Sequence, residues 1–184
     1  LRGAIEDYSQ AIKIDPKYAT AYLHQGLARR REGDLAGAIE NYSKAIEIDP
    51  KYAKAFNNRG LARKAKGDLR GADEDYSQAI KIDSELPEAH YNRGAVRIAM
   101  GNLAGALQDF QRTLELNPRH SNAYTYCGNL RKAKGNLNGA IEDYSKAIEI
   151  DPRNALAYYN RGRARKTKGD LPGASEDYDR AIQL

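Results

Sequence analysis

The chain has no tryptophan, two phenylalanines, one methionine and one cysteine in 184 residues. Cys127 alone cannot form an internal disulfide, which argues against a disulfide-stapled secreted scaffold and fits a cytoplasmic location. No apolar run approaches the roughly 20 residues that a membrane helix needs, so no membrane span is expected. Three histidines, His24, His90 and His120, are far apart and have no Cys/His spacing suited to zinc. No charged-then-apolar leader is visible. A formal net charge of +5 permits an acidic partner without demanding one. There is no spare glycine either, because all 16 fall into three periodic columns. None is left for a phosphate-cradling loop or a flexible linker, and no cofactor or metal is expected.

Repetition is what the chain has in abundance. Residues 37–50 read GAIENYSKAIEIDP and residues 139–152 read GAIEDYSKAIEIDP, an offset of 102, or three times 34. A shift of 34 superposes Gly26, Gly60, Gly94, Gly128 and Gly162, and equally Gly33, Gly67, Gly101, Gly135 and Gly169. The third column runs Gly3, Gly37, Gly71, Gly105, Gly139 and Gly173. Another holds Tyr8, Tyr42, Tyr76, Phe110, Tyr144 and Tyr178. A fixed period of this length indicates stacked supersecondary units.

Each unit carries two helical patterns. An A-helix is expected over about 19–32 and a B-helix over about 35–48, with Ala38, Ile39, Tyr42, Ala45 and Ile46 on one stripe. Asp34, Asp68, Asn102, Asn136 and Asp170 suit N-caps. Pro16, Pro50, Pro118 and Pro152 stop the B-helices, while Pro172 belongs in a first helical turn, where a missing N–H costs little. Gly26 and Ala38 are expected where the two helices of a unit cross, with Tyr42 filling the adjacent gap.

Tyr22, Gly26, Ala38, Tyr42, Ala45 and Pro50, at this spacing, make the chain resemble the tetratricopeptide repeat family. The resemblance implies an all-α fold of antiparallel helix pairs in a right-handed superhelical solenoid, with the A-helices lining a concave groove. Its expected divisions are a half repeat at 1–18, full repeats at 19–52, 53–86, 87–120 and 121–154, and a last, slightly truncated repeat at 155–184. The chain starts inside a repeat, as a piece of a longer array would. Ser84 replaces the closing proline and Pro87 follows it, so 83–90 is the expected local irregularity.

Two A-helix columns depart from the family pattern: Gln25, Arg59, Arg93, Cys127, Arg161, and Arg29, Arg63, Arg97, Arg131, Arg165. They could form a nucleic-acid stripe or internal struts. The B-helices carry carboxylates in register, such as Glu74–Asp75 and Glu142–Asp143, so struts of charge-assisted bonds are the expectation. Cys127 then reads as a small buried apolar residue and His90 as a packing residue in the aromatic column.

The resemblance places the binding face opposite the B-helices. Asn58, Asn92 and Asn160 share a column there and resemble the asparagine ladders with which some members of the family hold peptide backbone; Asn129 lies beside them. Tyr91, Tyr126 and Tyr159 are candidate anchors or, equally, covers for neighbouring side chains. Arg30, Lys64, Lys132, Arg163 and Lys166 would make the face basic, either to attract an acidic segment or merely as a solvated surface. The leading expectation is a non-enzymatic protein–protein interaction scaffold for an extended, acidic peptide segment. The alternative is an assembly segment of a longer array that associates head to tail through uncapped ends. Nucleic acid is disfavoured by the strict period and modest charge.

Overall fold

A computed structural model describes residues 2–184, which form eleven α-helices and no strand. These are α1 (Arg2–Ile14), α2 (Ala19–Arg31), α3 (Leu35–Ile48), α4 (Ala53–Ala65), α5 (Leu69–Ile82) and α6 (Pro87–Ala99), then α7 (Leu103–Leu116), α8 (Ser121–Ala133), α9 (Leu137–Ile150), α10 (Ala155–Lys168) and α11 (Leu171–Gln183). No helix is long and apolar enough to cross a membrane among the described residues. The chain divides into two compact units, Leu1–Gly101 with α1–α6 and Asn102–Leu184 with α7–α11. The even-numbered helices from α2 to α10 are A-helices, and the odd-numbered ones are B-helices.

The turns follow from the periodic residues. The five glycines from Gly33 to Gly169 adopt φ between 80° and 89°, a left-handed conformation that reverses the chain after each A-helix. The next residue caps the B-helix: Asp34 Oδ1 accepts from the Gly37 amide at 2.9 Å, and Asp68, Asn102, Asn136 and Asp170 do the same in their own units. After the B-helices α1, α3, α5, α7 and α9 an Asp or Asn folds back on the chain, as when Asp49 Oδ1 accepts from the Lys51 amide at 2.9 Å.

The expected irregularity at 83–90 is absent. α5 ends at Ile82 and α6 starts at Pro87, in register with the other units. Asp83 makes the usual turn, accepting from the Glu85 amide at 3.0 Å. Pro87 falls in the first turn of its helix, where it sacrifices no intrahelical bond.

The α2–α3, α4–α5 and α8–α9 crossings are each closed by one tyrosine. Tyr42, Tyr76 and Tyr144 are fully buried, and a Cβ built on Gly26 would stand 2.6 Å from Tyr42 Cε1. In the first unit Leu23, Ala38, Tyr42 and Ala45 form one core with Ala55 and Ala62 of α4. In the second, Ala140 and Tyr144 pack with Ala164 of α10. An A-helix is thus buried by the pair before it as well as by its own B-helix.

Candidate functional site

The A-helix cations fall into two groups. The first is bound inside the fold. Arg59 holds Asp75 through Nη2–Oδ1 at 2.6 Å and Nε–Oδ2 at 3.0 Å, and its Nη1 donates to Ser43 Oγ at 3.0 Å. Arg161 repeats this with Asp177 and Ser145. Each clamp therefore joins an A-helix to its own B-helix and to the preceding one. Arg63 and Arg165 add a second bond to the same carboxylates, at 3.0 Å each. Arg131 pairs with Asp143 at 2.8 Å, and Arg97 with Asp73 at 3.1 Å. The arginine columns are struts, as expected, and His90 is a buried residue whose Nε2 lies 3.1 Å from the Ser84 carbonyl oxygen.

The clamp changes chemistry where its arginine is missing. In the first full repeat it is an amide pair, Asn41 Nδ2 donating to Gln25 Oε1 at 2.7 Å and Gln25 Nε2 to Ser9 Oγ at 2.8 Å. At Cys127 nothing replaces it. Asp143 is buried, bonds Arg131 through Oδ1 alone, and its Oδ2 has no partner. Burial pushes this carboxyl up to about 6, against the partial opposition of Arg131 and Lys146. Burial also pushes the Cys127 thiol up to about 12, so it is a packed, unreactive group.

The second group faces outward. Arg30, Lys64, Lys132, Arg163 and Lys166 make no ion pair among the described residues. Lys132 is half-buried; burial and then the nearby Arg163 charge push its ammonium pKa down. In the first unit, buried Arg30 Nε and the buried hydroxyls of Tyr42 and Tyr76 all lack an acceptor. Burial raises both phenols, and the adjacent Arg30 charge offsets part of that rise.

The polar candidates are more engaged than the sequence suggested. Asn58 Nδ2 donates to the Lys54 carbonyl one turn back at 2.8 Å, and Asn92 Nδ2 donates to Asn57 Oδ1 on α4 at 3.0 Å. Asn129 accepts from the Tyr144 hydroxyl at 2.8 Å, and Asn160 is buried. Leu23, Asn57 and Thr125 lie one residue before the ladder column, and all three are buried. Leu23 is covered by α4, Asn57 bonds to α6, and Thr125 Oγ1 accepts from Asn154 at the start of α10.

Tyr91 is half-buried, and Tyr126 stacks on Phe110 with ring centroids 4.9 Å apart. Tyr159 is exposed, with the Arg163 guanidinium 5.9 Å from its ring centroid. The structure brings Tyr159, Arg163 and Lys166 together in one cleft of about 610 Å³ between α10 and α11, with Thr167, Tyr178, Ala181 and Ile182. Tyr178 and Thr167 were not singled out in the sequence. Both lie in repeat columns; the Thr167 position is exposed in every unit, whereas Tyr178 is only half-buried where Tyr42, Tyr76 and Tyr144 are fully buried.

Profiles described as TPR repeat match residues 1–31, 26–67, 60–101 and 128–169, and profiles described as Tetratricopeptide repeat match 87–120 and 155–184. The chain belongs to the tetratricopeptide repeat (TPR) family. Its fold is accordingly an all-α helical-repeat solenoid, and TPR membership supports a protein–protein interaction scaffold. The MamA crystal structure is 28% identical, with a TM-score of 0.79, over 86% of this chain and 92% of that one. YrrB, described as a TPR protein with an unusual peptide-binding site, is 27% identical with a TM-score of 0.81, over 97% of this chain and 92% of that one. PilF of Pseudomonas aeruginosa shares the fold at 22% identity and a TM-score of 0.82, over 90% of this chain and 75% of that one. No curated protein is a sequence match to the chain.

Proposed function

We propose that this TPR protein holds an extended, acidic segment of a partner protein against its A-helix faces. The observation that carries the reading is the division of the A-helix cations. The strut arginines are matched by carboxylates, whereas Arg30, Lys64, Lys132, Arg163 and Lys166 have no ion-pair partner among the described residues. Within each unit, unmatched positive charges on an A-helix attract carboxylates, and do so more strongly where they are partly desolvated, as Lys132 is.

In this reading the cations select charge, Tyr159 offers an apolar face, and Tyr91 and Tyr126 are half-buried walls of their own units. Asn58 has the freest carboxamide of the ladder column, since its one bond is exposed and local. Asn92, Asn129 and Asn160 serve more by fixing the helices that carry the site. The likeness to YrrB supports peptide binding as the mode.

The reading is tested by fluorescence anisotropy with an Asp/Glu-rich peptide and its Asn/Gln counterpart. Preference for the acidic form, reduced by salt, is expected. Equal affinity for the two peptides would remove the charge-selective reading.

A further inference from the structure

In the second unit two neighbouring A-helices set four polar side chains at the corners of a square. A shift of 34 carries Asn129 and Lys132 of α8 onto Arg163 and Lys166 of α10. Residues three apart share a helix face, and α8 and α10 are in contact. In the first unit the same square is half apolar. On α2 and α4 it holds Leu27 and Arg30 with Leu61 and Lys64, and on α4 and α6 Leu61 and Lys64 with Ala95 and Ile98. Leu27 and Leu61 pack against the Tyr42 and Tyr76 cores. Only the second unit fills all four corners with hydrogen-bond donors.

Those donors are uncommitted. Asn129 Oδ1 accepts from the Tyr144 hydroxyl at 2.8 Å, which fixes the amide, and its Nδ2 makes no bond among the described residues. Neither α8 nor α10 contains a carboxylate. Lys132 and Arg163 are near enough to repel each other: burial and then the Arg163 charge push the Lys132 ammonium pKa down. Arg163 also opposes the rise that burial imposes on the Tyr144 hydroxyl, so it lies near the Asn129 end of the square as well. Its guanidinium stands 5.9 Å from the Tyr159 ring centroid, a contact that helps to hold it in place.

Two like charges held side by side and partly desolvated are matched best by an anion that carries more than one charge. A carboxylate brings one charge and two oxygens. A phosphoryl group brings a charge of about −1.5 to −2 at neutral pH and three acceptor oxygens. That is one oxygen each for an amide, an ammonium and a guanidinium donor.

We propose that this face of α8 and α10 binds a phosphorylated side chain of the partner segment, with its oxygens on Asn129 Nδ2, Lys132 Nζ and the Arg163 guanidinium, and Lys166 at the rim. The proposal rests on the acidic-segment reading and adds the residue that the second unit selects.

The probes are three versions of one Asp/Glu-rich peptide, with serine, glutamate or phosphoserine at the centre, read by fluorescence anisotropy. The phosphoserine peptide should bind about tenfold or more tighter than the other two. Measured against the serine peptide, its advantage should shrink below about pH 6, where the phosphoryl group takes up a proton. Asn129→Asp keeps an acceptor for Tyr144 but replaces the donor with a negative charge, and Lys132→Gln removes one cation. Each should abolish the advantage in a chain that melts like the native one. An acidic peptide preferred over its Asn/Gln counterpart, with nothing gained from phosphoserine, would overturn this proposal and leave the acidic-segment reading standing. No preference for the acidic peptide would remove both. An advantage that survives both substitutions would place the phosphoryl group elsewhere. Inorganic phosphate competing as strongly as the phosphopeptide would make this a site for the free anion and overturn the assignment to a partner.

Discussion

Arg59 and Asp75 meet through three hydrogen bonds, the shortest 2.6 Å, with side chains only 16% and 3% exposed. Removing Asp75 leaves the buried Arg59 charge uncompensated, at about 3–5 kcal/mol, whereas removing Arg59 leaves Asp75 bonded to Arg63 alone. Asp75→Leu should therefore lower the urea midpoint sharply and Arg59→Ala less, while the double change Arg59→Met with Asp75→Leu should cost less than Asp75→Leu alone. Arg97, more exposed in its contact with Asp73, should lose less on conversion to alanine and leave acidic-peptide binding unchanged. Intact melting with lost binding in Arg97→Ala would contradict the strut assignment.

The missing clamp at Cys127 is repairable. Arg59 and Arg161 show that an arginine fits this register and reaches the carboxylate of the same unit. Cys127→Arg should supply the partner that Asp143 Oδ2 lacks and stabilise the protein by about 1.5–3 kcal/mol, the ordinary gain for a hydrogen bond to a charged group. Urea unfolding of the variant checks this; a lower midpoint would mean that α7 and α8 have closed around the smaller side chain.

Asp143 also makes stability depend on pH, with a definite sign. Its folded pKa of about 6 lies above the unfolded value of 3.8, so the folded state binds the proton more tightly. Its contribution becomes more favourable as pH falls from above 6 to about 4, and is lost as pH rises through 6. The difference in unfolding free energy between native chain and Asp143→Asn isolates it: the variant's advantage should be greatest above pH 6 and shrink toward pH 4. A flat difference would show that Asp143 titrates normally.

Gly26→Ala places a methyl 2.6 Å from the Tyr42 ring, so helix α2 or the tyrosine must shift. Overpacking of this kind costs about 1–3 kcal/mol. A thermal melt compares it with Gly26→Ala/Tyr42→Leu, in which the smaller partner should recover part of the loss.

The fold was readable because local signals agree. Glycine turns, Asp or Asn caps and Tyr42-type stripes recur in register, and each has one physical reading. The struts were readable too, since arginine and carboxylate columns at fixed spacing can meet only across a helix pair. The binding face was less so. An asparagine column looks like a ladder in sequence, but Asn92 is spent on Asn57 and Asn160 is buried, because α6 and α10 pack against the A-helices before them, which periodicity alone does not reveal. Pro87 misled in the same way: a displaced proline resembles a break, whereas its position in the first turn makes it harmless.

The central claim is that unmatched A-helix cations recruit an acidic segment. The most direct measurement is the affinity of an Asp/Glu-rich peptide for the native chain and for Lys132→Gln/Arg163→Gln, at low and at physiological salt. A loss of about tenfold or more in the variant, together with weaker salt dependence, is the predicted result. Unchanged affinity and salt slope, in a variant that melts like the native chain, would contradict it.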